Sequence, residues 1–226
     1  MKRYRWLLGC CLFLSIGMLW AADEPDLRML QQKAAQSRDM EGYVGVCKYL
    51  YQTEENPELL LLYADSIHQL ATKSKKPEQL VEYYIWASEG NFIKGDFQQG
   101  YALKRKAIAL AEKVGLKFAI SQSCCDMGYY CNVDARYDSA RYYFRKGLEA
   151  GEDLSEAGEA CRTMLTNYAS SFLFEGKTDS ALVYTIRASE RSAADKDTAM
   201  LIENLNQLGT IYRRKKDLEN CIANFE

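Results

Sequence analysis

A chain of 226 residues that is 48% hydrophobic and 27% charged has the make-up of a soluble globular protein, with length for one sizeable domain or two small ones. Only three prolines occur, so long uninterrupted helices are open to it. A formal charge of -2 without a basic cluster removes the electrostatic basis for gripping DNA or RNA.

Residues 1–22 are a different material from the rest. "MKRYR" is cationic, "WLLGCCLFLSIGMLW" is uncharged and apolar, and "AADEPD" supplies small residues and then acid and proline. That order is the order of a secretory signal, cut after Ala21 or Ala22, with Leu19 and Trp20 unusually large for the approach to a cut site. An uncleaved anchor is one competing reading, but the run is shorter than the roughly 20 residues that span a bilayer. A lipid-carrying Cys10 is the other, with little apolar chain ahead of it. The expected address is export, to a bacterial periplasm or the periplasmic side of the inner membrane. Without Lys2, Arg3 and Arg5, 26 basic residues face 31 acidic ones, a charge of -5.

Residues 23–40 are expected to hold a short leading helix, over 26–37, that caps the apolar face of a first repeat unit. Beyond it the sequence repeats. Gly128 and Gly209 lie 81 apart with Ala169 at the half-step, and the same register reaches back to Ser88 and Lys48. In the second half of each unit Leu60, Gly100, Ala140, Ala181 and Cys221 succeed one another at 40, 40, 41 and 40 residues. Four of these five are small, as close helix crossing requires. Phe144, Tyr184 and Phe225 supply a larger group one turn later, and Ala107, Gly147 and Ala188 a second small position. Leu60 and Lys104 break the pattern. The units are expected near 41–80, 81–120, 121–161, 162–201 and 202–226, the last incomplete.

Each unit reads as two helices, and no segment alternates with period two for long enough to suggest a strand. "EQLVEYYIWASEGNFI" comes after Pro77 and carries Leu80, Tyr84, Ala87 and Asn91 on one stripe. "ALKRKAIALAEKVG" is expected to stop at Gly115 and "YDSARYYFRKGLEAG" at Gly151. At the end, Leu218, Ile222 and Phe225 form an apolar face with no capping residue after it. Leaving it in water would forfeit about 1.5 to 3 kcal/mol per side chain, so further repeats are expected beyond Glu226.

Leu208, Gly209, Tyr212, Cys221 and Phe225, and again Met127, Gly128, Cys131, Tyr137, Ala140 and Phe144, carry a resemblance to the tetratricopeptide repeat family, over roughly 41–226. It implies an all-α fold, an α-solenoid of stacked antiparallel helix hairpins in a right-handed superhelix. The period of 40 exceeds the family's usual 34 or so, and no unit ends in the family's frequent proline, so longer helices are expected. In the family the first helices of successive hairpins line a concave face that receives a peptide or protein. By register that lining would be Tyr49, Gln52, Glu82, Glu89, Gln122, Tyr129, Asn132, Thr166, Ser170, Asn206, Thr210 and Arg213. The Asn and Lys/Arg clamp that some members use for a terminal carboxylate is not reproduced.

Little here suggests chemistry. His68 is the sole histidine, which excludes a histidine metal cluster and leaves no base for a Ser-His-Asp arrangement other than a residue expected on a helix surface. No GxGxxG or GxxxxGKS occurs. Glu82 and Glu89 can share a helix face, and "KSKK" over 73–76 reads as a solvated turn. Cys47, Cys124, Cys125, Cys131, Cys161 and Cys221 have no CxxC or metal-ligand spacing and read as small core residues, one incidental disulfide being the alternative. The expectation is a non-catalytic module without cofactor or metal. Its partner would be a protein or peptide and not a nucleic acid, with membrane contact only through the signal or a span beyond Glu226. The resemblance suggests the periplasmic sensing portion of a signalling protein; a free adaptor or scaffold and the accessory repeats of an exported enzyme are the alternatives.

Overall fold

The structure, a computed structural model, describes residues 26–54 and 56–223. The expected signal over 1–22 and the expected apolar contribution of Phe225 lie outside them. All regular structure among the described residues is helical: α1 (Leu27–Ser37), α2 (Met40–Thr53), α3 (Pro57–Ser74), α4 (Pro77–Lys94), α5 (Phe97–Val114), α6 (Lys117–Val133), α7 (Tyr137–Gly151), α8 (Gly158–Phe174), α9 (Thr178–Ala194), α10 (Thr198–Lys215) and α11 (Leu218–Ala223), with a 3-10 turn at Ser155–Ala157.

Local chemistry sets these boundaries. Asp39, Asn56, Asp96 and Asp197 each turn a side-chain oxygen back to accept from a first-turn N–H, at 2.9 to 3.1 Å, so a donor that no helical carbonyl can reach is satisfied. Pro57 and Pro77 open α3 and α4, where the missing N–H costs nothing. Gly95 and Gly115 close α4 and α5 in the left-handed region, φ 91° and 77°. Connections are two or three residues long except 152–157, so consecutive helices fold back on one another.

The helices pair as α2/α3, α4/α5, α6/α7, α8/α9 and α10/α11, and each expected unit boundary falls within the first turns of a first helix. Leu60, Gly100, Ala140, Ala181 and Cys221 are each the fourth residue of a second helix. The first four are buried and Cys221 is half-buried. What the small residues make room for is visible at Gly128 of α6, where a Cβ would collide with the ring of Phe144 from α7, itself fully buried. Beyond its consecutive neighbours, α2 packs on α4, α6 on α8, and α8 on α10. Among the described residues the second helices have no comparable approach to one another.

Three sequence expectations shift. Lys48 is exposed and the buried residue beside it is Cys47, although Lys48 stands as far before Leu60 as Gly128 does before Ala140. The buried stripe of α4 is Val81, Ile85, Ser88 and Phe92 rather than Leu80, Tyr84, Ala87 and Asn91, of which only Ala87 is buried. Gly151 does not end its helix in the left-handed region. It lies in the last turn of α7 against Ser121 and Cys161, where a Cβ would have no room.

One apolar core runs from Ala34 to Met164. A separate small one gathers Leu173, Ala181 and Ile211. Between them α8, α9 and α10 are joined by hydrogen bonds: Thr166 Oγ1 donates to Asn204 Oδ1 at 2.8 Å, Asn204 Nδ2 to Ser192 Oγ at 3.2 Å, Gln207 Nε2 to Ser170 Oγ at 2.7 Å, and Thr185 Oγ1 to Gln207 Oε1 at 2.9 Å. Such bonds add modestly to stability but are costly to leave half made. The six cysteines are unpaired, five of them buried, and burial pushes the Cys47 and Cys124 thiols up to about 12.

Candidate interaction face

The first helices α2, α4, α6, α8 and α10 supply the face on which the sequence places its twelve candidate residues. Gln52, Gln122, Asn206 and Arg213 are exposed, and Tyr129 is 38% exposed with its ring edge-on to Tyr130 at 5.5 Å. Thr210 and Tyr49 are half-buried; the Tyr49 carbonyl accepts from Thr53 Oγ1. Glu82 is half-buried and its carboxylate accepts from Trp86 Nε1 at 3.0 Å.

Of the other four, Ser170 is half-buried and Thr166, Asn132 and Glu89 are held inside the protein. Thr166 and Ser170 belong to the hydrogen-bonded seam that joins α8, α9 and α10. Asn132 is buried and donates through Nδ2 to the Asn167 carbonyl at 3.0 Å, tying α6 to α8. Glu89 is buried, only 2% exposed.

Glu89 is the centre of a buried ionic cluster. The fully buried Lys104 of α5 passes between α4 and α6, its ammonium donating to Glu89 and, at 3.0 Å, to Asp126 Oδ2. Tyr130 of α6 donates its hydroxyl to the second Glu89 oxygen at 3.2 Å and stacks its ring on Phe92 of α4, centroids 3.7 Å apart. The backbones of α4 and α6 lack the close approach found between α2 and α4 or α6 and α8. Long side chains bridge that interval instead. The Asp126 side chain, 22% exposed, is the part of the cluster nearest water.

Burial pushes the Glu89 carboxyl up to about 7, Asp126 adding to the shift and Lys104 opposing it. Burial works against the charge on Lys104, yet Asp126 and Glu89 together hold its pKa above the ordinary lysine value. Tyr130 is raised well above the usual phenol value by burial and then by Glu89. Tyr51 of α2, edge-on to Trp86 at 6.3 Å, is raised first by the charge of Glu89.

Sequence reasoning missed Lys104, Asp126, Tyr130, Asn204 and Gln207. One signal was there: Lys104 interrupts a column of small and apolar residues, and a lysine at a core position must bring its own counter-charge. Among the described residues no three His, Cys, Asp or Glu side chains gather closely enough to hold a metal ion, and no helix is long and apolar enough to cross a membrane. His68 is exposed, stacked on Tyr83 with centroids 4.3 Å apart.

No protein-family model and no curated protein matches the chain. Among solved structures the chain is similar to BtubC (BKLC) from P. vanneervenii, with a TM-score of 0.69 at 13% identity, over 88% of this chain and 83% of that one. At that identity the likeness speaks to the fold alone.

Proposed function

We propose that the chain is a non-catalytic, exported helical-repeat module of tetratricopeptide type, an α-solenoid whose first helices form the concave side and bind a protein or an extended peptide. The observation that carries the reading is the mutual packing of first helices, α2 on α4, α6 on α8 and α8 on α10, with the Glu89–Lys104–Asp126 cluster bridging the wider interval from α4 to α6, so that first helices gather on one face. On that face Gln52, Gln122, Tyr129, Asn206 and Arg213 keep exposed amide, phenol and guanidinium groups. Amides pair with a peptide backbone and a rigid, amphipathic tyrosine anchors a side chain at low entropic cost. The buried ionic cluster is structural in this reading: it fixes the spacing of α4 and α6 and so the shape of the face.

The test is selection of peptides from a random displayed library against the chain, and then titration with Gln122→Ala/Tyr129→Ala. Selected peptides should bind the variant at least about tenfold more weakly, about 1.4 kcal/mol. Peptides held equally by both proteins would remove this face from consideration. Export is tested separately by fractionation: periplasmic recovery of a chain shortened by about 22 residues is expected, and cytoplasmic full-length protein would refute it.

A further inference from the structure

Where the first helices begin, a groove of about 570 Å³ runs past the start of α2, the opening turns of α4, the α5–α6 turn and the turn ahead of α8. Its apolar surface comes from Met40, Leu116, Phe118 and Leu154, and Phe118 leaves 39% of its surface in water. Around this surface stand Glu78, Glu82 and Glu156, with Lys117 the one cation, a local charge of -2. Among the described residues none of the three carboxylates takes part in an ion pair. Glu82 is oriented by the Trp86 indole, which occupies one carboxylate oxygen and leaves the other open.

We infer that this groove receives an extended protein segment in which lysine or arginine alternates with apolar side chains. The inference rests on the interaction reading proposed for the first helices and names the chemistry of the partner. In an extended segment alternate side chains point to opposite sides, so one set seats against Phe118, Leu116 and Leu154. The basic set reaches the rim, where three acids against one lysine favour cations and repel acidic segments. Lysine and arginine also lay their methylene stems along apolar surface while the charged ends stay with the carboxylates, which suits a groove that is oily at its floor and acidic at its edge. An acidic or purely polar segment would gain only one half of this match.

The test is fluorescence anisotropy with three short labelled peptides, alternating Leu/Lys, Leu/Glu and Ser/Lys, titrated with the chain and with Glu78→Gln/Glu82→Gln/Glu156→Gln. Phe118→Ser is the second variant, and the circular dichroism melts of both establish that they fold. The Leu/Lys peptide should bind, weaken with added salt, and lose about tenfold or more in affinity with either variant. Leu/Glu should not bind, and Ser/Lys should bind more weakly than Leu/Lys. Binding of Leu/Lys that neither variant changes overturns the groove. A stronger grip on Leu/Glu overturns the charge assignment, and absence of all binding overturns the segment chemistry. If library-selected peptides are still lost on Gln122→Ala/Tyr129→Ala, the broader interaction reading survives the failure of this one.

Discussion

Replacing Lys104 by methionine removes an ammonium from the protein interior while keeping most of the stem that fills the space between α4 and α6. Glu89, 2% exposed, then faces Asp126 with no cation between them, and only Tyr130 still donates to it. Taking one partner out of a buried ionic pair typically costs about 3–5 kcal/mol, because the remaining charge is stranded away from water. The cost should depend on pH, in a direction set by Glu89. A carboxyl whose folded pKa is above its unfolded one contributes stability below the unfolded value that is lost as pH rises through the folded one. In the native protein that window runs from the ordinary glutamate value of 4.5 up to about 7. Without Lys104 to oppose the shift, the window extends further upward. Urea unfolding monitored by circular dichroism should therefore place the Lys104→Met midpoint well below wild type near pH 8 and closer to it near pH 5.5. Lys104→Met/Glu89→Gln should recover much of the loss at the higher pH. A variant as stable as wild type at both values would refute the account of the cluster.

The unsubstituted protein should itself lose on the order of 2 kcal/mol between about pH 5.5 and 8, at about 1.36 kcal/mol per unit, and Glu89→Gln should flatten that slope. Gly128→Ala gains up to about 1 kcal/mol of helix propensity but drives a methyl into Phe144, so the melting temperature should fall, and Phe144→Leu beside it should restore part of the loss. Asn204→Ala leaves the buried Ser192 hydroxyl without its partner, while Thr166 keeps its bond to the Arg162 carbonyl at 3.2 Å; the cost should be about 1–3 kcal/mol, and hydrogen exchange in α10 should speed up. Of the six cysteines from Cys47 onward, Cys221 should be alkylated first in the native state at about pH 8, since the other five are buried; mass spectrometry reads the order.

The period was legible because it is written in residues that every helix pair needs. A small side chain at the fourth residue of a second helix serves the same crossing in each unit, whatever surrounds it. The first unit misled because the register counted back from Leu60 lands on Lys48, which is exposed, while its neighbour Cys47 is the buried residue. In α4 the six residues from Ile85 to Gly90 are all buried, and a helix covered nearly all round has no apolar stripe from which to read its phase. Glu89 could be placed on a first helix but not inside the protein. Its burial depends on Lys104 from the next helix, and a carboxylate in a sequence carries no sign of which cation will find it. The seam through Thr166 and Asn204 was hidden likewise, since serine, threonine and asparagine look the same in a sequence whether they face water or each other.

The most direct measurement of the central claim, that the first helices present the binding face, is hydroxyl-radical footprinting of the chain with and without a library-selected peptide. Tyr129 of α6 should be protected on binding, while Tyr142 of α7 and Ile186 of α9, exposed on second helices, should oxidise at unchanged rates. Protection of Tyr142 or Ile186 with Tyr129 unaffected would contradict the account.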